Sequence, residues 1–335
     1  MEPLRFNPIF RRYLWGGRRL ASELGKAIGD QTCAESWEVV DRPEANSVVA
    51  FGPHSGKTLH EMLTEFGPQI LGAKVHQQIN QPDLPERLRG RFPLLLKFLD
   101  ACKTLSVQVH PNDAAGMQKE VPDLGKTEAW YVMDAAPGSL LYSGLRQGID
   151  REQLATAIES KTTNEALHQF QPQPGDCVFV PAGTVHAIGE GLLIAEIQQC
   201  SDTTYRLFDW NRTDKDGNER DLHIDQALAV ADYQRGPVSA QPMVKTDDPR
   251  CVELVRCDKF LIRRWTLNDG SDVKIAMNDC FRLLMVVQGA IGVAGDPANE
   301  KLVKGQSMLV PADVERLSIE CDTADCNVFL EISIV

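Results

Sequence analysis

The chain has 335 residues, 43% of them apolar and 24% charged, and a formal net charge of −12. That is the balance of a globular protein long enough for two domains, with no apolar run near the roughly 18 residues that a membrane span needs. The acidic surplus excludes a broad face for nucleic acid or anionic lipid, because both are bound by clustered Lys and Arg. The start of the sequence carries no secretory pattern and the nine cysteines form no CxxC pair, so the expected setting is cytoplasmic, with reduced thiols. In chain order, KTLHEMLTEFGPQILG (57–72) reads as a helix within a helical segment over about 57–80. Residues 94–210 are short Val-, Ile- and Leu-rich runs broken by Pro and Gly, the pattern of β-sandwiches and barrels rather than of βαβ units. Inside them, residues 150–170 read as a helix capped by Asp150, with apolar residues at three- and four-residue steps. HIDQALAVADY (223–233) is a third helix. RGPVSAQPMVKTDDPR (235–250), rich in proline and poor in periodicity, is the linker, and 251–335 returns to the all-β pattern. The expected domains are 1–240, with the helical segments, and 241–335.

The halves echo one another. PGDCVFVPAGTVHAI (174–188) and KGQSMLVPADVERLSI (304–319) share Gly, an apolar run and Val-Pro-Ala in register, but Gly183 falls on Asp313 and His186 on Arg316. Likewise TEAWYVMDA (127–135) lies on FRLLMVVQG (281–289), which sets Glu128 against Arg282. A histidine needed only by the fold is expected in both copies, so the contrast marks the first copy as the one that carries chemistry.

Gly175, Pro181, Gly183 and His186 have the spacing of the second signature of the cupin barrel, which this stretch resembles, although Glu190 stands where that signature ends in Asn. Pro and Gly make the turn, and the histidine starts the next strand. In LSVQVHPND (105–113), Gln108 and His110 are two apart on an extended run and share a face; in GKTEAWYV (125–132), so do Lys126 and Glu128. A lone histidine on a strand is usually just a hydrogen-bonded residue, but Gln108, His110, Glu128 and His186 recur on successive strands. Together they form a mixed nitrogen and oxygen set that suits catalytic Zn²⁺ and also admits Fe²⁺, Mn²⁺ or Co²⁺. The other histidines, at 54, 60, 76, 168 and 223, are assigned no ligand role.

With AESWEVV (34–40), PLLLKFLDACKTLSVQVHPND (93–113), GKTEAWYV, VPAGTVHAIGEG (180–191), IAEIQQCSDTTYRLFDW (194–210) and RDLHIDQAL (220–228) in order, the chain resembles the type I mannose-6-phosphate isomerases of the cupin superfamily, in their short bacterial branch. The resemblance implies a mainly β protein of two cupin-like jelly-roll barrels, with a small helical region in or beside the first and no metal ligands in the second. It implies one Zn²⁺ per chain on Gln108, His110, Glu128 and His186, a sugar phosphate as substrate, and Ser106, Lys126, Glu196 and Arg206 in the substrate pocket. Glu35, Trp37 and Glu38 match a family segment near the site and are given no role. The implied reaction interconverts mannose 6-phosphate and fructose 6-phosphate through an enediol, so negative charge developing on two oxygens must be met by the metal and a cation such as Arg206. Lys126, whose ammonium form is disfavoured beside a bound cation, competes as the base with Glu196 or a metal-bound water. The phosphate needs Lys or Arg beyond the metal shell, with Ser106, Lys126 and a residue such as Lys97 as the candidates; the plain alternative for Arg206 is an ion pair with Asp202 or Asp209. Two histidines and a carboxylate also describe an iron oxygenase. An isomerase of another sugar and a non-catalytic carbohydrate-binding cupin complete the alternatives.

Overall fold

The structure, a computed structural model, describes residues 1–213, 217–268, 270, 272–321 and 326–335. The protein is mainly β, and its larger sheets separate along the chain. In the first half a six-stranded antiparallel sheet runs in the order Cys177–Val180, Glu128–Ala135, Leu192–Gln199, Leu94–Ala101, Glu35–Val39 and Ile9–Arg11. It faces a five-stranded sheet ordered Leu167–Phe170, Leu141–Leu145, His186–Ile188, Val107–Val109 and Tyr205–Phe208. The second half repeats the arrangement with a six-stranded sheet, ordered Val244–Lys245, Cys251–Arg256, Leu261–Leu267, Asn327–Ser333, Arg282–Gln288 and Ser307–Val310, and a four-stranded one. Among the described residues the strands of each half fall into separate sheets rather than into one closed barrel.

Strand periodicity explains the stacking. All eight residues of Leu94–Ala101 are buried, so this strand is covered on both faces. Leu94, Leu96 and Phe98 point one way, into a core shared with Phe260, Ile262, Leu283, Met285, Leu330 and Ile332 of the second half. Leu99 and Ala101 point the other way, to Trp130, Val132, Ile188 and Ile194 between the two sheets of the first half. The two six-stranded sheets therefore pack face to face, each hiding what would otherwise be a solvent-facing side. Removing one such buried Leu or Phe side chain typically costs about 2–5 kcal/mol.

The helix expected over 57–72 is Leu59–Leu71, started by a capping box in which Thr58 and Glu61 satisfy each other's amides, and kinked at Phe66, two residues before Pro68. Ala73–Ile79 extends the helical segment, and Leu59, Met62, Ile70, Leu71 and Val75 join the core between the halves. Ile224–Val230 is the third helix. The 150–170 expectation needs correcting. Asp150 caps Arg151–Glu159 through a capping box with Gln153, but Lys161 at φ 58° lies in the left-handed region and ends the helical run. A single turn, Thr163–Ala166, follows, and Leu167–Phe170 is then an edge strand on Leu141–Leu145. The linker lies along the first half, with Val238 N donating to Ser143 O at 3.0 Å and Gln241 N to Cys177 O at 2.7 Å. No helix among the described residues is long and apolar enough to cross a membrane.

Candidate metal centre and cavity

Two strands of the five-stranded sheet and one of the six-stranded sheet converge on one point. His186 opens its strand opposite Gln108, His110 follows the end of Val107–Val109, and Glu128 opens the strand of the facing sheet. One ligand atom from each of His110, Glu128 and His186 lies within 4.8 Å of the other two, and all three residues are buried. His186 Nε2 is 3.3 Å from Glu128 Oε1, and His110 Nε2 is 3.6 Å from Glu128 Oε2.

The tautomers follow from the backbone. His110 Nδ1 lies 2.9 Å from Thr203 O and His186 Nδ1 2.9 Å from Thr184 O. A carbonyl can only accept, so both Nδ1 atoms carry the proton and both Nε2 lone pairs face inward. Burial pushes the His186 pKa down to about 3. Burial, with the Lys126 ammonium and His186 beside it, holds His110 far below the ordinary histidine range. Both imidazoles are therefore neutral acceptors at neutral pH. Burial lifts the Glu128 carboxyl to about 7 against the opposing pull of Lys126. Lys126 Nζ is 2.7 Å from Glu128 Oε2 and 3.0 Å from His110 Nε2, whereas His186 Nε2 has no hydrogen-bond partner. An orphaned buried lone pair facing a carboxylate fits a cation between them, and the donor set suits a divalent metal.

Beside this cluster lies a cavity of about 220 Å³ lined by Ser106, Gln108, Lys126, Glu196 and Arg206, with Lys97, Glu35, Tyr13, Asp202 and Arg220 also on its wall. Of the site residues expected from the sequence, His110, Glu128 and His186 meet in the metal cluster, while Gln108, expected as a fourth ligand, lines the adjoining cavity with Ser106, Lys126, Glu196 and Arg206. Arg206 does not take up the plain alternative, an ion pair with Asp202 or Asp209. Its Nε donates to Ser106 Oγ at 3.1 Å and its Nη1 to Asp221 O at 2.9 Å, while Asp209 is paired with Arg212 and reaches Arg220 at 3.8 Å. Burial and the charge of Arg220 lower the Arg206 pKa.

Lys97 is not a free cation for phosphate. Its Nζ lies 3.2 Å from Glu196 Oε1 and 3.6 Å from Glu35 Oε2. Burial opposes its charge, but these carboxylates outweigh that and raise its pKa. Glu196 is likewise disfavoured by burial, yet Lys97 holds its pKa low. Trp37 lies beneath the Lys97 ammonium, 5.1 Å from ring centroid to Nζ, and Glu38 pairs with Lys26 at 2.6 Å. Sequence reasoning missed Arg220, which lies on the cavity wall and is exposed. The signal for it lay in RDLHI: His223 N donates to Arg206 O at 2.8 Å, and this pairing draws Arg220 to the same mouth.

Residues 4–135 match the family model of the phosphomannose isomerase type I catalytic domain. The chain is 36% identical over 332 residues to mannose-6-phosphate isomerase ManA of Bacillus subtilis (strain 168), covering 98% of each. It is 33% identical to the mannose-6-phosphate isomerase of Streptococcus mutans, covering 96% of each. The crystal structure of the mannose 6-phosphate isomerase from Bacillus subtilis matches over the full length of both chains, with a TM-score of 0.84 at 28% identity. A putative mannosephosphate isomerase from Archaeoglobus fulgidus, at 19% identity and a TM-score of 0.75, covers 100% of this chain and 99% of its own, and attests the fold alone.

Proposed function

Since the chain belongs to the type I phosphomannose isomerase family, we propose that it interconverts mannose 6-phosphate and fructose 6-phosphate through an enediol, holding one Zn²⁺ per chain on Gln108, His110, Glu128 and His186. The observation that carries this reading is the convergence of two inward imidazole lone pairs and a buried carboxylate on a cavity lined by arginine. When bound, the metal supplies Lewis-acid polarisation of the hydroxycarbonyl oxygens.

The reaction moves one proton from carbon 2 to carbon 1, while the carbonyl shifts from carbon 1 to carbon 2, so no external oxidant or reductant enters. What the chain must supply is a proton carrier and a cation for the developing oxyanion. Lys126 and Glu196 line the cavity as the two proton-handling groups. Lys97 keeps Glu196 ionised and thus able to accept a proton. Arg206 stabilises the enediolate, aimed by its bond to Ser106. Arg220, free of the double carboxylate contact that neutralises Lys97, takes the phosphate at the mouth, as a guanidinium fork suits.

In this reading 1–240 is the catalytic unit and 241–335 a second unit without ligands, each a cupin-like jelly roll, a class in which two facing sheets are built from Greek keys. Nine cysteines without a disulfide support a cytoplasmic setting. The test is a coupled assay that follows fructose 6-phosphate formed from mannose 6-phosphate, before and after chelation and after Zn²⁺ is restored. Turnover that vanishes and returns is the expected result. Turnover untouched by chelation, or no product from the untreated protein, rejects the reading.

A further inference from the structure

We propose that Lys259, from the second half, is a positioning residue for the metal centre of the first, acting through Asp113 and Gln199 on the segment that carries Lys126 and Glu128. This inference rests on reading His110, Glu128 and His186 as metal ligands. Lys259 Nζ lies 2.8 Å from Asp113 Oδ2. The other oxygen of Asp113 accepts from Gly125 N at 2.8 Å and from Gln199 Nε2 at 2.9 Å. Gln199 Oε1 in turn accepts from Thr127 N at 3.0 Å, and Gln199 N donates to Thr127 O at 3.1 Å.

Lys126 is thereby bracketed: the amides on either side of it are held by this chain, and its own amide donates to Pro111 O at 3.0 Å. Asp113 stands three residues after His110, and Thr127 immediately before Glu128. The network therefore fixes the spacing between the two segments that bring His110 and Glu128 together. Gly125 is required by the close approach, since a Cβ there would stand 2.5 Å from Asp113 N and 2.6 Å from Asn112 C.

Lys259 is itself held by the packing of the two halves. Its neighbour Phe260 is buried and meets Phe179 of the first half edge-on at 6.4 Å. Asp258 offers Lys259 a second carboxylate at 2.8 Å, but that contact stays within the second half. Removing the ammonium leaves Asp113 as an uncompensated, partly buried charge that must reorient toward water, and the amides of Gly125 and Thr127 lose their fixed acceptors. The second half thus acts as a fixed strut against which the metal-carrying loop is set.

The test uses the full chain and four variants: Lys259→Met, Lys259→Arg, Asp258→Asn and Glu128→Gln. Zinc affinity is read by chelator competition, and kcat and KM are read at saturating zinc. Lys259→Met weakens zinc binding by about 3–10-fold, less than the 10–100-fold typical of groups bonded directly to ligands, and lowers kcat more than it raises KM. Lys259→Arg restores the parent affinity, and Asp258→Asn, which spares the Asp113 contact, leaves it unchanged. Parent-like zinc affinity in Lys259→Met, with affinity lost in Glu128→Gln, overturns this inference alone. Equal losses in Asp258→Asn and Lys259→Met also overturn it, because they point to loop charge rather than to a positioning chain. Parent-like affinity in Glu128→Gln instead rejects the metal reading beneath it.

Discussion

In the first half Glu128 lies across from Val180, and in the second Arg282 lies across from Val310. The same register carries through both six-stranded sheets. Glu196 faces Lys97 on the next strand, and Glu331 faces Arg263. Across the five- and four-stranded sheets, His186 lies beside Gln108, and Arg316 beside Ala276. One scaffold thus carries two interiors. In the first, Glu128 turns to a pair of imidazoles. In the second, Arg282 fills the corresponding place and closes on Glu331 at 3.0 Å, which also accepts from Trp265 Nε1 at 2.7 Å. Arg316 is exposed, and all seven histidines precede residue 224. The first interior has Lys126 on Glu128 and His110 but leaves the His186 lone pair without a partner, and so still invites a cation; the second brings its own guanidinium and is complete without one. Among the described residues the second half also has no counterpart of the Tyr205–Phe208 strand that presents Arg206.

This contrast can be broken from either side. The largest effect is expected from Glu128→Gln, which removes the one anionic member of the cluster. Turnover should fall by about 10³-fold or more and bound zinc should disappear from elemental analysis, since a group acting directly on developing charge carries a contribution of that order. Arg206→Ala should separate chemistry from metal holding: zinc is retained, while kcat falls by about 10²–10³-fold, the range seen when one donor to a developing oxyanion is lost. Retained turnover in that variant contradicts the role given to Arg206.

In the second half, Arg282→Met should cost stability rather than activity. It leaves the buried Glu331 with only Trp265 Nε1 and, at 3.8 Å, Arg263, a change worth about 3 kcal/mol in denaturant unfolding, while the folded fraction keeps its kcat. Adding Glu331→Gln should recover most of the loss.

The smallest effect sharpens the first interior through pH. The Glu128 carboxyl sits near 7 without metal, and both imidazoles are already neutral there. Below pH 7 the folded apo protein holds a proton that the metal must displace, and above it none. Zinc affinity should therefore fall about tenfold per pH unit below 7 and level off above it, with about one proton released per zinc at pH 6 by calorimetry in two buffers. A pH-independent affinity between 5 and 7 would show that Glu128 is ionised throughout.

Much of the site could be read from the sequence because local spacing carried it. Gln108 and His110, and Lys126 and Glu128, are two apart in the chain, and the overlay of TEAWYVMDA on FRLLMVVQG set Glu128 against Arg282 in the observed register. The helix start at Asp150 was legible as a cap for the same reason. What escaped depends on contacts distant in sequence. That Leu94–Ala101 is buried on both faces could be suspected from its apolar run, but not that the second face meets the second half. The strand Leu167–Phe170 looked helical because its pattern continued that of the preceding helix, and only edge pairing to Leu141–Leu145 decides it. Lys97 looked available for phosphate until Glu35 and Glu196 closed on it. Arg220 and Lys259 are ordinary surface cations in the sequence and gain meaning only from what folds against them.

Zinc titration into the metal-free protein tests the central claim most directly. One tight site per chain is expected, abolished by Glu128→Gln and unaffected by Arg282→Met. Two tight sites per chain, or one that survives in Glu128→Gln, would contradict it.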